Sequence, residues 1–239
     1  MRVLLVPAPL IGHVAPLLPL AAALRDAGHE VLVATAADGL RAVRPGLPAH
    51  DVAPGFDLGR TARRVLLRHP LIARAELAGT AGTRGAGLLF GAVNDQLADP
   101  VVAVAARVDA EFVLVRPDAR LVRRRLPGNV RTVDWIPIPA ALPASAALVH
   151  HGGAGSVLSA LVAGVPQLAT VGAGDRRHHA ELVAARGAGI AARTRDITAD
   201  TLARLVTDAG LRDAARQVGA EIAAMPGPGE LVRRLESLR

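Results

Sequence analysis

The segment His150-His151-Gly152-Gly153-Ala154-Gly155-Ser156 combines imidazoles, a hydroxyl and three closely spaced glycines directly after an apolar run. Glycines let the backbone approach a ligand without interference from a Cβ. If a helix opens beyond them, its first N–H groups lack intrahelical acceptors and the positive end of its dipole faces the loop, an arrangement suited to a diphosphate. Ser156 can add a hydroxyl and His151 a ring N–H. The same pattern also serves a ligand-free tight turn from strand to helix, so spacing alone leaves both readings open. His178 and His179 form the other histidine pair, but adjacent residues seldom converge on one ion and no further ligand set is visible, so no metal is expected. The chain has no Cys, which removes thiolate metal sites and disulfides.

The elements that must position this segment alternate in type. Val3 to Val6 reads as a buried strand ended by a turn from Pro7 to Gly12. Pro16 to Ala27 reads as a helix with Leu17, Leu20, Ala21 and Leu24 on one side, capped by Gly28, and Val31 to Thr35 as the next strand. Between Asp38 and Arg84 the pattern weakens: a short strand is predicted at His50 to Ala53 and a helix at Thr61 to Ala78, kinked or split at Pro70. Gly79 to Gly87 reads as a linker. Beyond it, strands are predicted at Leu88–Phe90, Phe112–Val115, Val130–Val133, Ala147–Val149, Gln167–Val171 and Gly189–Ala192. Helices are predicted near 99–107, 155–163, 177–186, 199–208, 212–224 and 229–238. Such alternation implies parallel sheets with helical crossovers, in two doubly wound α/β lobes of which the first is small.

Composition sets the outer limits. Hydrophobic residues make up 51% of the chain but aromatics only 2%, so the core must be built from Ala, Val, Leu and Ile, a palette suited to helices packed on parallel sheet. The formal charge of +7 is carried wholly by Arg, since Lys is absent. Arg123, Arg124 and Arg125 form a basic triplet without interleaved aromatics, so no nucleic-acid partner is expected. The apolar start is interrupted by Pro7, Pro9 and Gly12, too short for a signal peptide, and no run approaches a membrane span. These features give the expectation of a soluble cytoplasmic protein.

The segment Val149 to Ser156, followed by Ala163-Gly164-Val165-Pro166-Gln167, resembles the donor-site signature of nucleotide-sugar-dependent glycosyltransferases that decorate natural products. Val133-Asp134-Trp135-Ile136-Pro137, Asn129-Val130-Arg131 and Leu142-Pro143 resemble the same family, and the likeness runs from about Leu88 to the C-terminus. It implies a GT-B-like fold of two Rossmann-like lobes, with residues 1–82 as a shortened acceptor and catalytic-base lobe and 83–239 as the donor-binding lobe. It also implies that His151, Gly152, Gly153, Gly155 and Ser156 hold the donor diphosphate, that Trp135 and Ile136 lie against the base, and that Asp175 and Arg176 meet the sugar. Gly12-His13, Pro16-Leu17, Leu20-Ala21 and Gly28-His29-Glu30-Val31 resemble the family's opening signature. By that resemblance His13 is the general base, a role that needs a group titrating near neutrality. His29 reads as structural at a helix end. The nucleotide sugar, dTDP- or UDP-linked, is a co-substrate and no cofactor is implied. Ile138, where many uridine-sugar users carry Gln, favours thymidine.

Three departures stand out. Arg176 replaces the Gln that usually follows Asp175, and His179 stands where Asn is usual. Arg forks towards carboxylates and phosphates, so Arg176 either meets an acidic donor sugar or an altered sugar pose, or points to solvent. No Asp orients His13 convincingly, Asp38, Asp51 and Asp57 being in the wrong context. Only about 80 residues precede the linker, fewer than the family uses for its acceptor pocket. The expected activity is inverting transfer of a sugar to a small natural-product acceptor. The alternatives are a non-catalytic helper subunit and other acid–base chemistry at His13. A small sheet leaves edge and apolar surface, so a homodimer or a helper protein is the partner expectation.

Overall fold

The computed structural model describes residues 1–43, 45–56, 97–117, 119–134 and 136–238. The expected helix at 61–78, the linker at 79–87, the strand at 88–90, the boundary at residues 82 and 83, Asp57 and Trp135 lie outside the described residues. The chain divides into two compact units, Met1–Arg64 with Ala224–Arg239, and Val65–Ala223.

In the first unit, β1 (Arg2–Leu5), β2 (Glu30–Thr35) and β3 (Ala49–Asp51) form a parallel sheet in that order, with Val3 opposite Val31 and Ala34 opposite His50. Between β1 and β2 the chain is helical from Ile11 rather than from Pro16 as the periodicity predicts. A short helix α1 (Ile11–Val14) runs through a 3-10 turn at Ala15–Leu17 into α2 (Leu18–Asp26). Pro16 and Pro19 lack an N–H, so the ladder is broken into three pieces, while both fit the opening positions of the pieces they start. A further short helix, α3 (Asp38–Ala42), occupies part of the stretch where the sequence pattern fades.

The last helix, α11 (Pro228–Glu236), belongs with this unit and not with the second lobe, where the sequence reading placed it. Its Val232 is buried with Ala21, Leu24 and Val31, and Glu236 reaches to 2.8 Å from His29 Nε2. One apolar residue at the right helical phase draws it there. His29 is thus structural, as expected. On the sheet, Leu4 and Leu32 face each other in register and are both exposed.

In the second unit the helical residues 97–105, α4, present two adjacent apolar stripes. Leu97, Val101 and Val104 join Leu168, Leu202 and Leu205 in one cluster, while Ala98, Val102 and Ala105 join Leu121 and Val130 in another. Two sheets follow. One pairs β4 (Phe112–Val115) with β5 (Val130–Val133), with α5 (Ala119–Val122) between them in sequence. The other runs β6 (Leu148–His150), β7 (Gln167–Thr170) and β8 (Gly189–Ala192), all parallel. The central strand β7 is buried along its whole length, so its run carries no alternation. The crossovers are α7 (Ala154–Val162) and α8 (Arg176–Ala185), with α6 (Ile138–Ala141) before β6 and α9 (Ala199–Thr207) and α10 (Ala209–Ala223) after β8. Asn129 explains part of the sequence spacing noted above. Its amide donates to the carbonyls of Ala105 (2.8 Å) and Ala110 (2.9 Å), tying the end of α4 to the start of β5. Among the described residues, no helix is long and apolar enough to cross a membrane.

Candidate functional site

The glycine-rich segment sits where the sequence pattern predicts, between β6 and α7 in the second unit. Its two histidines differ in role. His150 is the last residue of β6 and is buried. Its Nδ1 accepts the Gly152 N–H at 3.0 Å, which fixes the proton on Nε2, and Nε2–H donates to Gln167 Oε1 at 2.8 Å. Gln167 in turn donates from Nε2 towards the Val157 carbonyl at 3.4 Å. His150 and Gln167 lie diagonally on one face of the paired strands, since Leu148 is opposite Gln167 and His150 opposite Ala169. This clamp connects the turn, the central strand and α7. Burial pushes the His150 pKa down from 6.5 to about 4, outweighing the bond to Gln167 that raises it. His150 therefore holds the loop, with both ring nitrogens engaged by the protein. Gln167 closes the Ala163–Gln167 motif and opens a predicted strand, but its pairing with His150 is not read from the sequence; the signal available is a polar residue at the head of an apolar strand, two positions off register from a histidine.

Gly152 follows with φ +84, a conformation costly for a residue with a Cβ, and a Cβ there would lie 3.0 Å from the Thr170 carbonyl and 3.1 Å from that of Arg176. The turn is thus packed on one side against the end of β7 and the start of α8. His179 completes the enclosure: its Nδ1–H donates to the Gly152 carbonyl at 3.0 Å. The His at the position where Asn is usual acts as a second brace for the turn. The rings of His178 and His179 stand 6.4 Å apart between centroids and tilted by 44°. Among the described residues, no group of three or more His, Cys, Asp or Glu could hold a metal ion.

His151 is also buried, and a Cβ on Gly153 would lie 2.5 Å from its Nε2, so only glycine leaves room for the ring. Its pKa falls to about 4, chiefly through burial and secondly through the charge of Arg176, with Asp175 acting in the opposite sense. At neutral pH it offers a neutral ring, able to donate one N–H but carrying no charge. The helix α7 then opens after Gly153 without a side-chain cap. Ser156 and Val157 both direct their N–H to the Gly153 carbonyl at 3.1 Å, while the N–H groups of Ala154 and Gly155 precede any possible i−4 acceptor within the helix. Gly155 is exposed and Ser156 half-buried.

Asp175 and Arg176 stand at the start of α8, beside the turn. Asp175 is exposed, with a carboxylate oxygen 4.0 Å from His179 Nε2. Arg176 does not extend into solvent. Its guanidinium occupies the space over Gly172, where a Cβ would overlap Nη2, Cζ and Nε. Ile136 is half-buried in the loop after β5.

His13 lies in the first unit, exposed, within the short helix α1. No described residue hydrogen-bonds its ring. Of the carboxylates considered for orienting it, Asp38 pairs with Arg41 at 3.3 Å and Asp51 accepts the Ala53 N–H at 3.0 Å.

Comparison with known proteins agrees with the sequence motifs. Residues 99–238 match the family model described as erythromycin biosynthesis protein CIII-like, C-terminal domain. The chain is 42% identical over 135 residues to elloramycin glycosyltransferase ElmGT of Streptomyces olivaceus, covering 56% of this chain and 35% of that protein. It is 38% identical over 152 residues to TDP-daunosamine transferase DnrS of Streptomyces peucetius, covering 59% of this chain and 34% of that one. The matches thus span about a third of these relatives' own lengths. Among solved structures, the glycosyltransferase SnogD from Streptomyces nogalater superposes with a TM-score of 0.71 at 27% identity, covering 100% of this chain and 99% of that chain. The fold is accordingly the α/β, GT-B-like one that the motifs imply. Its parallel sheets, its strand–glycine turn–helix site and the match over residues 99–238 place this chain in the erythromycin biosynthesis protein CIII-like, C-terminal domain family.

Proposed function

We propose that the chain binds a nucleoside-diphosphate sugar at the His151–Ser156 turn and transfers the sugar, with inversion, to a small natural-product acceptor. The observation that carries this reading is the preformed turn. Gly152 is held at positive φ by His150 and His179, and the open N–H groups of Ala154 and Gly155 lie next in the chain. Such a turn presents backbone donors at fixed positions, so little ordering entropy is lost when a diphosphate binds. In the reaction, the acceptor's nucleophile attacks the anomeric carbon, the bond from that carbon to the diphosphate oxygen breaks, and His13 takes the nucleophile's proton. The nucleoside diphosphate departs with the bonding electrons, its charge met at the turn. Ile136 and Trp135 are the candidates to cover the base, and Asp175 to meet the sugar. Thymidine is the preferred base: Ile138 favours it, and a relative carries TDP-daunosamine in its name.

A second reading has its own support. No described carboxylate orients His13, which suits a helper subunit that retains the donor lobe. The exposed Leu4 and Leu32 motivate a protein partner, either a second copy or another chain.

Calorimetric titration with thymidine and uridine diphosphates tests the donor site. Binding of thymidine diphosphate that is lost in a His151→Ala, Ser156→Ala variant is the expected result, and no binding of either nucleotide by folded protein would sink the reading. His13→Ala then separates the two functions. Loss of turnover with nucleotide binding kept marks the transferase, and an unchanged contribution to a partner's turnover marks the helper.

A further inference from the structure

We propose that Arg176 is the phosphate-binding cation of this site, meeting the diphosphate of the donor rather than an acidic group on its sugar. The inference rests on the donor-site reading above and assigns the charge within it. Three features of the geometry carry it. First, the side chain is built in: its guanidinium fills the space over Gly172, and this is possible only because residue 172 has no Cβ. Secondly, its backbone and Cβ form the wall against which Gly152 is packed, at 3.1 and 3.3 Å from the position of a Cβ on that glycine, so Arg176 shares the turn's position rather than moving independently. Thirdly, its Nε is buried and has no hydrogen-bond partner among the described residues. A buried guanidinium N–H left without an acceptor is costly, and a small rotation of the side chain that brings it to a ligand oxygen removes that cost.

Charge decides between phosphate and sugar. The glycine turn brings backbone N–H groups and dipoles but no formal charge, and the ring of His151 is neutral because burial and the Arg176 cation both oppose its protonation. Asp175, next in sequence, is anionic and unsuited to phosphate. Arg176 is thus a cation built against the turn itself, its backbone and Cβ packed on Gly152. A fork of N–H donors matches phosphate oxygens bidentately.

The test is titration of the full chain with thymidine diphosphate and with thymidine, in wild type, Arg176→Gln, Arg176→Lys and Gly172→Ala. Arg176→Gln is expected to weaken the diphosphate about ten- to a hundredfold, the range of a charge-assisted hydrogen bond, and to leave thymidine unchanged. Arg176→Lys should retain part of the affinity. Gly172→Ala keeps the cation but displaces it, so it should weaken the diphosphate similarly; its far-UV circular dichroism and melting curve establish that it is folded. Equal diphosphate affinity in wild type and Arg176→Gln would overturn the proposal. So would a loss confined to donors with a carboxylated sugar, which would return Arg176 to the sugar. An affinity that rises as pH falls from 8 to 6, and no longer does so in His151→Asn, would also overturn it by making His151 the cation. Absence of any diphosphate binding by wild type is a separate outcome that refutes the donor site itself.

Discussion

Replacing His150 by Gln should flatten the acid sensitivity of the protein while lowering its stability at neutral pH. In the folded chain the ring is buried and its pKa stands at about 4, against 6.5 ordinarily. The unfolded chain therefore binds a proton between those values that the folded chain does not. Stability is fully present above about 6.5 and is lost as pH falls towards 4. Integrating the difference from pH 7 to pH 4.5 gives a loss of about 2 kcal/mol from this ring alone. Gln does not titrate, so its variant lacks that loss. It also cannot accept from Gly152 and donate to Gln167 with the rigid span of an imidazole, so at pH 7 it should be less stable by about 1–3 kcal/mol, the cost of buried polar groups left unpaired. Urea unfolding followed by far-UV circular dichroism at pH 7.0, 5.5 and 4.5 reads both effects without adding salt. The wild type should lose about 2 kcal/mol more than the variant across that range. Parallel pH profiles for the two proteins would refute the picture of a neutral histidine clamping the turn.

Other perturbations follow from the same contacts. Gly153→Ala puts a Cβ 2.5 Å from His151 Nε2 and forces the buried ring to shift, so it should weaken thymidine diphosphate binding in titration and lower the melting temperature. Gly189→Ala places a Cβ into the Gln167 carbonyl and against Val183 in the β7–β8 pair, and should cost about 1–3 kcal/mol in urea unfolding. Leu202→Ala, at 1% exposure in the main cluster of the second unit, should cost about 2–5 kcal/mol by the same measure. Val232→Ala in α11 should loosen the first unit selectively, seen as faster amide exchange in α2 and β2 with little change in β7.

Much of the architecture was legible because apolar periodicity reflects how an element meets its neighbours. The strands at 112–115, 130–133 and 189–192 coincide with their predicted bounds, since β-branched or aliphatic runs between turn residues have few other uses. The helix at Ile11–Val14 was hidden by Pro16, which reads as a helix start but here only restarts one already under way. The short helices α3, α5 and α6 have too few residues to show a period. The final helix shows a clear apolar face, yet nothing in its pattern says which unit that face joins.

At the site, the motif from His150 to Ser156 fixed the local chemistry: glycines for close approach, a helix start for backbone donors and a histidine for a ring N–H. Sequence could also name Arg176 and His179 as departures from the family pattern, because residue type at a motif position is a one-dimensional property. Which way those side chains turn is not. His150 faces the core because Gln167 waits there on the adjoining strand, His179 braces the Gly152 carbonyl from one helix turn into α8, and Arg176 folds over Gly172 instead of reaching into water. The first two join residues far apart in sequence, His150 and Gln167 through the parallel pairing of β6 with β7 and His179 and Gly152 through the packing of α8 beside the turn, while the third is a local fold-back over four residues. Burial and neighbouring charge then set the protonation of both loop histidines, which residue type alone would leave near neutrality.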